Sequence, residues 1–172
     1  MPIYEIIHAV PLSEKQQDEL AEAITIIHTT AFGVLRLFVN VRFVDASRVN
    51  TYIAGKRRKA NHIRATVRLG SRTNEGFLSL CKSVEEVWNR IVYEPAQREN
   101  SLVPEQNRYK LQTLIVSPVN LIGFEAGFEL PLGGEDGNWL TKHWNEFRQK
   151  ASEGDEDFIQ VVKEVEERGL LK

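Results

Sequence analysis

The first residue of this chain that could act as a catalytic group is Pro2. Pro2 directly precedes a strand-like stretch. One interpretation is that this proline opens an edge strand, where its missing N–H costs nothing. The other is that the methionine before it is removed, so that its nitrogen becomes a free secondary amine. α-Amino groups titrate at about 7.7–8.0, so this amine would act as an acid, a base or a nucleophile near neutral pH.

Three further polar residues are expected to converge on Pro2. The first predicted strand is about 27 Å long, and the helix after it returns about 22 Å, which brings His28 back toward the start of the strand. If the two halves of the chain pair through antiparallel central strands, Arg68 and Arg72 also arrive there. The sequence therefore places an amine, an imidazole and two guanidiniums close together.

This combination favours proton transfer or water addition on a small carboxylated substrate. Guanidiniums match the fork geometry of a carboxylate, and nearby positive charge favours the neutral, basic form of an amine. The alternatives are simpler. His28 follows Ile24 at helical spacing and would then be a core histidine, and Arg68 and Arg72 would be solvent-facing charges at a strand end.

The first half of the chain has the pattern of a βαβ unit. Ile3 to Val10 is rich in β-branched residues and predicts a buried strand. Ser13 to Gln16 predicts a capping box at the start of a helix, and Gly33 predicts its end. Leu35 to Val44 is the returning strand.

The pattern recurs about sixty residues later. Asn61 to Gly70 predicts a strand, Thr73 a helix N-cap, and Lys110 to Val119 the returning strand. Between the halves, residues 51–60 predict a short strand and a turn, and residues 94–108 a polar loop. Two such units predict an α+β fold, with a mixed four-stranded sheet and two helices on one face.

The remaining residues predict a helical extension of the same domain. Trp139 to Lys150 and Asp155 to Arg168 are amphipathic and predict two helices. We therefore expect a single domain over residues 1–172, with a pseudo-repeat at 1–55 and 60–120 and a C-terminal extension at 138–172.

Composition narrows the function classes. The net charge of −2 gives no general attraction to nucleic acid or to an anionic membrane, and we expect neither as a partner. The basic run Lys56 to Arg64 lacks interleaved aromatic residues and is best interpreted as a charged hairpin, although it could also steer anionic substrates. A single cysteine excludes an internal disulfide and a cysteine-based metal cluster. No apolar stretch is long enough to span a membrane and no secretory signal is evident, so we expect a cytoplasmic protein.

Four segments resemble the tautomerase superfamily, and within it the cis-3-chloroacrylic acid dehalogenase-like branch. They are MPIY at the start, AITIIH at the end of the first helix, VRLGSRT after the strand that begins at Asn61, and EAGFELPLGGEDGNWL from Glu125. The resemblance covers about the first 150 residues. It implies two fused βαβ units, a homotrimer, no cofactor, no metal and an amino-terminal catalytic proline.

The resemblance also implies a role for each matching residue. Pro2 falls on the catalytic proline and His28 on the active-site histidine. Arg68 and Arg72 fall on the pair that binds the substrate carboxylate, although their spacing is one residue longer than in the dehalogenase. Glu125 falls on the glutamate that activates water together with a tyrosine.

That tyrosine is absent from the expected place. Its position falls near Leu114 or Ile115, and Tyr109 stands at the start of the strand. The sequence therefore predicts a keto–enol tautomerase acting on a small unsaturated or 2-keto carboxylic acid more firmly than a hydratase or dehalogenase. The alternative is a non-catalytic binding protein that keeps the scaffold and recognises a partner through the basic run and the C-terminal helices.

Overall fold

The computed structural model describes residues 2–99, 108–118 and 123–171, which form two layers and a helical extension. In chain order the elements are β1 (Ile3–His8), α1 (Glu14–Phe32), β2 (Asn40–Asp45), β3 (Thr51–Ile53), β4 (Lys56–Arg58), β5 (Asn61–Val67), α2 (Asn74–Trp88), α3 (Glu94–Glu99), β6 (Leu111–Pro118), β7 (Phe124–Glu125), β8 (Phe128–Glu129), α4 (Asp136–Ser152) and α5 (Glu156–Arg168).

The main sheet confirms the predicted mixed, four-stranded architecture. Its strand order is β2-β1-β5-β6. β1 is parallel to β2, β5 is parallel to β6, and the central pair β1 and β5 is antiparallel. Tyr4, Ile6 and His8 alternate with half-buried neighbours and belong to the buried face of β1. The C-terminal end of β5 therefore lies beside the N-terminal end of β1, and the C-terminal end of β6 lies at the same end of the sheet.

Gln16 links the predicted cap of α1 to an unpredicted helix. The Gln16 side-chain oxygen accepts a hydrogen bond from the Ser13 backbone N–H, and the Ser13 hydroxyl accepts one from the Gln16 backbone N–H. These two bonds confirm the capping box. The Gln16 side-chain amide nitrogen donates to the Ile91 carbonyl at 3.0 Å. In an α-helix that carbonyl would accept from position 95, which is a proline without an N–H.

The predicted polar loop at 94–108 is therefore wrong over its first part. A π-helical turn over Asn89–Tyr93 extends α2 directly into α3. Gln16 satisfies the carbonyl that Pro95 cannot, which lets the helical segment pass through the proline. Residues 100–107 of the predicted loop lie outside the described residues.

The second strand starts later than the predicted Leu35. Residues Arg36–Phe38 form a short 3-10 helix, and pairing with β1 begins where Asn40 faces Ile3. Leu35 and Phe38 are buried among the C-terminal helices. Their apolar character serves that packing, and a sequence pattern cannot distinguish it from a strand.

Two apolar clusters stabilise the described part of the chain. The first lies between the main sheet and the pair α1 and α2. The second joins the C-terminal helices to residues after α1 and to β8; its buried members are Leu35, Phe38, Phe128, Trp139, Leu140, Phe147, Phe158, Val161 and Val165. Both predicted C-terminal helices are therefore confirmed. None of the helices described is long and apolar enough to cross a membrane.

The basic run falls partly on a separate hairpin. β3 and β4 pair only with each other, through a turn at Ala54 and Gly55 where both residues have positive φ. Lys56, Arg57 and Arg58 are exposed. This arrangement fits the interpretation of the run as a charged hairpin.

Candidate active site

Pro2 is buried at the N-terminal end of β1, where three strands meet. Its carbonyl accepts a hydrogen bond from the Asn40 backbone N–H at 3.0 Å. On the other side, Ile3 faces Thr66 of β5. Antiparallel pairing then places Arg68, the first residue after β5, beside the entry of the chain into the sheet. The predicted convergence of Pro2 and Arg68 therefore follows from the strand register.

His28 lies beneath this end of the sheet on α1. Its side chain is fully buried, and its Nδ1 is 2.7 Å from the Tyr4 hydroxyl. Burial lowers the pKa of His28 to about 3, and the positive charges of Arg72 and Arg68 act in the same direction. The imidazole is therefore neutral at physiological pH and carries a single N–H.

The hydrogen bond to Tyr4 indicates which nitrogen of His28 carries that proton. Burial raises the pKa of the Tyr4 hydroxyl above its ordinary value, so the hydroxyl keeps its hydrogen. If Tyr4 donates to Nδ1, every polar atom of the pair except Nε2 is satisfied. The proton then resides on Nε2, which is buried without a hydrogen-bond partner.

Arg68 and Arg72, called the arginine pair below, lie together and share one acid. Arg68 Nη2 is 2.6 Å from one carboxylate oxygen of Asp136, and Arg72 Nη2 is 3.4 Å from the other. The Arg72 guanidinium also lies 4.7 Å from the centre of the Phe32 ring. Phe32 in turn packs against His28 with ring centroids 4.9 Å apart. Arg72 is thus linked to His28 through Phe32, and Arg68 is linked to Arg72 through Asp136.

Glu125 reaches the same end of the sheet from a short hairpin. It ends β7, and a turn at Ala126 and Gly127, both with positive φ, leads into β8. The Asn40 side-chain amide donates to Glu125 Oε1 at 2.9 Å. Burial raises the pKa of Glu125, and the bond from Asn40 and the charge of Arg68 partly oppose that shift. Asn40 therefore contacts both Pro2, through its backbone, and Glu125, through its side chain.

Three buried side-chain atoms lack a hydrogen-bond partner within the described residues. They are His28 Nε2, Arg68 Nε and Glu125 Oε2. All three belong to residues predicted from the sequence as members of one site. A buried polar atom without a partner costs about 1–3 kcal/mol. A polar ligand that reached these atoms would complete their hydrogen bonding.

A close backbone contact fixes the segment that leads to Asp136. A Cβ atom at Gly70 would collide with the carbonyl of Gly133, and Gly70 has a φ of +53°. Ser71 N–H donates to the same carbonyl at 3.3 Å. Only glycine allows this approach, which holds residues 131–134 against the end of β5 and presents the Pro131 carbonyl to Arg68 Nη1 at 2.6 Å.

Three residues of the arrangement were not predicted as site residues. Asp136 lies within the segment that starts at Glu125, and Asn40 lies within the predicted strand Leu35 to Val44. Tyr4 shares the buried strand face with Pro2, two residues away, and this spacing was the available signal. The pairing of Asn40 with Glu125 and of Asp136 with the arginine pair depends on tertiary contacts, for which the sequence carries no comparable signal.

The residues considered for the missing tyrosine do not reach this end of the sheet. Leu114 packs on the first apolar cluster, and Ile115 is half exposed on the opposite face. Tyr109 precedes β6 at the end where β6 pairs with Asn61. Among the described residues, Tyr4 is the tyrosine bonded to a predicted site residue.

The sequence of residues 1–144 matches the model of the Tautomerase_3 family, described as "Putative oxalocrotonate tautomerase enzyme". The chain belongs to this family. Tautomerase_3 membership places it in the tautomerase superfamily. The matched residues include both βαβ units and the hairpin that carries Glu125. They end within α4, and α5 lies beyond them. No curated protein matches the chain.

Several solved structures share the fold of this Tautomerase_3 chain. A crystal structure of N1, a member of the cis-3-chloroacrylic acid dehalogenase family, has a TM-score of 0.63 at 18% identity and covers 88% of this chain and 99% of its own. A fused 4-OT, described as an asymmetric trimer, has a TM-score of 0.53 at 15% identity and covers 73% and 94%. MIF2 of Leishmania major has a TM-score of 0.51 at 16% identity and covers 76% and 97%.

Proposed function

We propose that the chain is a cofactor-free enzyme that uses an amino-terminal proline for keto–enol tautomerisation of a small unsaturated or 2-keto carboxylic acid. Pro2, His28 and Glu125 are its catalytic residues, and Arg68 and Arg72 bind or orient the substrate carboxylate. Membership of Tautomerase_3 supports the reaction class. The arrangement of the side chains around Pro2 supports the substrate class.

The three buried atoms without partners carry this proposal. His28 Nε2–H and Arg68 Nε–H are donors, whereas Glu125 Oε2 is an acceptor when the carboxyl is ionised. The enol of a 2-keto acid offers acceptors in its carboxylate and a donor in its hydroxyl group. Such a ligand offers acceptors to the two donors and a hydroxyl group that can donate to Glu125 Oε2 until Pro2 takes its proton, whereas a purely apolar ligand satisfies none of the three atoms.

The chemistry requires one proton to move between oxygen and carbon. The neutral Pro2 nitrogen takes the proton from the enol hydroxyl, and the C2–O bond becomes a carbonyl as the electron pair of the C2–C3 double bond moves to C3. The protonated amine then returns its proton to C3. During the first step, negative charge spreads over the substrate oxygens. The donors at His28 Nε2 and Arg68 Nε stabilise that charge because they lie in a site sheltered from water.

The central experiment compares proteins made without an N-terminal tag. Pro2→Ala should lower kcat/KM for ketonisation of an enolised 2-keto acid by at least about 100-fold, because a positioned general base contributes about that much. Pro11→Ala changes an exposed proline just after β1 and serves as the matched control. Equal rates for wild type and Pro2→Ala would overturn the proposal.

Hydration of an unsaturated acid is a second reaction that the same residues would support. Glu125 has a free buried oxygen and a pKa raised by burial, which suits a group that takes a proton from water near neutral pH. A tyrosine beside Glu125 is missing among the described residues. We therefore propose tautomerisation as the main reaction.

We also propose that the protein forms a homotrimer. The sheet face turned away from α1 and α2 exposes Val44 and Ile115 between charged residues, and a partner subunit would cover it. Light scattering should give three times the 19.7 kDa chain mass. A monomer mass at micromolar concentration would contradict this assembly.

The binding-protein alternative has one observation in its favour. Terminal nitrogens of Arg68 and Arg72 are already bonded to Asp136, a residue of the same chain. A protein without a substrate has no need to keep these guanidiniums free. A partner captured through Lys56–Arg58, with no turnover of any enolised acid tested, would favour this alternative.

A further inference from the structure

The carboxylate of Asp136, a residue of the same chain, binds both members of the arginine pair. Asp136 places one carboxylate oxygen 2.6 Å from Arg68 Nη2 and the other 3.4 Å from Arg72 Nη2. The two arginine side chains are only 8% and 7% exposed, and that of Asp136 is 21% exposed. This is a largely buried ion triad, in which the charges interact much more strongly than at the surface.

The other terminal nitrogens of the arginine pair are also engaged. Arg68 Nη1 donates to the Pro131 carbonyl at 2.6 Å, and Arg72 Nη1 donates to the Arg68 carbonyl at 3.0 Å. Arg68 Nε is buried and unpartnered. A substrate carboxylate therefore meets the free Nε–H of Arg68 and finds the terminal nitrogens that would form a fork already bonded.

Asp136 is held firmly in this position. It is the first residue of α4, where the helix dipole favours a negative charge. Trp139 and Leu140, within the next turn, are buried in the second apolar cluster. The Trp139 indole N–H donates to the Glu129 carbonyl at 2.7 Å, which ties α4 to the Glu125 hairpin. Displacing the carboxylate would disturb both elements.

We propose that Asp136 is a specificity-determining residue, a built-in carboxylate that cancels one charge of the arginine pair so that the site prefers ligands with one carboxylate over ligands with two. The triad of two guanidiniums and one carboxylate has a net charge of about +1. His28 adds no charge because it is neutral, and Glu125, when ionised, adds a further negative charge and so supplies no counterion for a second carboxylate. One substrate carboxylate balances the charge of the triad. A second one would enter without a counterion and would be repelled by Asp136.

The inference rests on the proposed function for the class of ligand, yet its test needs no turnover. Calorimetry measures the Kd of 2-oxohexanoate and 2-oxohexanedioate, which differ only in a terminal carboxylate. Wild type should bind the monocarboxylate about tenfold more tightly or better, since a charge interaction of this size is ordinary in a partly buried site. The ratio of the two Kd values is measured without turnover, so it does not depend on tautomerase activity. Failure of the proposed function is detected separately through Pro2→Ala.

Asp136→Asn is the decisive variant because it keeps the shape and removes the charge. The ratio of the dicarboxylate Kd to the monocarboxylate Kd should fall at least about tenfold, mostly because the dicarboxylate binds more tightly. Asp18→Asn, the same change at an exposed position on α1, should leave the ratio as in wild type. Asp136→Glu keeps the charge and should retain the preference for the monocarboxylate.

Three outcomes would overturn the inference. The first is an unchanged ratio of the two Kd values in Asp136→Asn. The second is weaker binding of both ligands by that variant, as expected of a residue that only positions the arginine pair. The third is no binding of either ligand by wild type.

If Asp136→Asn does not fold, Arg72→Gln tests the same claim by removing a positive charge. It lowers the charge to about zero and should weaken the dicarboxylate more than the monocarboxylate; an equal loss would contradict the inference.

Discussion

At the scale of single residues, Tyr4 explains how a buried histidine can serve a ligand. His28 is fully buried and its pKa is about 3, so it contributes a hydrogen bond and no charge. The Tyr4 hydroxyl lies 2.7 Å from Nδ1, and a hydrogen bond donated to that nitrogen leaves the proton on Nε2. Tyr4 is therefore a positioning residue, which acts on the ligand through His28.

Tyr4→Phe tests this role. Without the hydroxyl, the proton can move to Nδ1, and Nε2 then presents a lone pair to the substrate oxygens. We expect kcat for an enolised 2-keto acid to fall about tenfold, in line with the loss of one buried hydrogen bond, because His28 Nε2–H stabilises charge that develops during the reaction. Tyr52→Phe removes an exposed hydroxyl and is the control. A kcat equal to that of wild type would contradict a positioning role for Tyr4.

At the scale of elements, the C-terminal helices support the candidate site from outside the sheet. α4 begins with Asp136, and its Trp139 bonds to β8 next to the Glu125 hairpin. α5 reaches back to the segment before β2, where Glu164 accepts from the Arg36 N–H at 3.1 Å and Arg168 donates to the Val34 carbonyl at 3.1 Å. The extension therefore connects the parts of the chain that carry Asp136, Glu125 and Asn40.

Phe158→Ala tests how much stability this extension contributes. Phe158 is buried in the second apolar cluster against Phe128 and Phe147, with ring centroids 5.7 and 5.1 Å away. The free energy of unfolding should fall by about 3–5 kcal/mol because a large cavity remains. Ile159→Ala, at the next and more exposed position, should cost much less. Denaturant titration measures both, and equal losses would contradict a buried cluster.

At the scale of the whole molecule, the sequence predicts the architecture better than the contacts between distant segments. Apolar stripes and the caps at Ser13 and Thr73 predict both βαβ units because these signals are local. The 3-10 helix over Arg36–Phe38 and the helix at Glu94–Glu99 escape prediction. The first depends on packing against C-terminal helices, and the second on a hydrogen bond from Gln16.

The same distinction applies to the candidate site. Element lengths bring Pro2 and His28 to one end of the sheet, and antiparallel pairing of the two central strands adds Arg68 and Arg72. Asp136 is separated from the arginine pair by more than sixty residues, and nothing local marks it as their counterion. Whether the predicted residues perform their roles remains a prediction for the experiments above.

The buried histidine also makes the stability of the whole chain depend on pH. Its pKa is about 3 when folded and 6.5 ordinarily, so between these values the unfolded chain binds a proton that the folded chain does not. Stability is therefore lost as pH falls below about 6.5, at up to about 1.4 kcal/mol per pH unit.

His28→Gln should flatten this dependence. Urea titrations at pH 7 and pH 5 should show a loss for wild type that exceeds the loss for the variant by about 2 kcal/mol. Glu125 has the opposite effect. Because its pKa is raised in the folded chain, its effect is that the folded chain loses stability as pH rises above the ordinary pKa of a glutamate. That contribution is present in both proteins and cancels in the comparison. Equal losses would show that His28 is protonated in the folded chain.

The intact mass of the protein expressed without an N-terminal tag tests catalysis by Pro2 most directly. Pro2 must carry a free secondary amine to move a proton, so we expect a mass lower than that of the full sequence by one methionine residue. A full-length mass would mean that the Pro2 nitrogen is part of a peptide bond, has no basicity and cannot move a proton. That result would contradict catalysis by Pro2 and favour the binding-protein alternative.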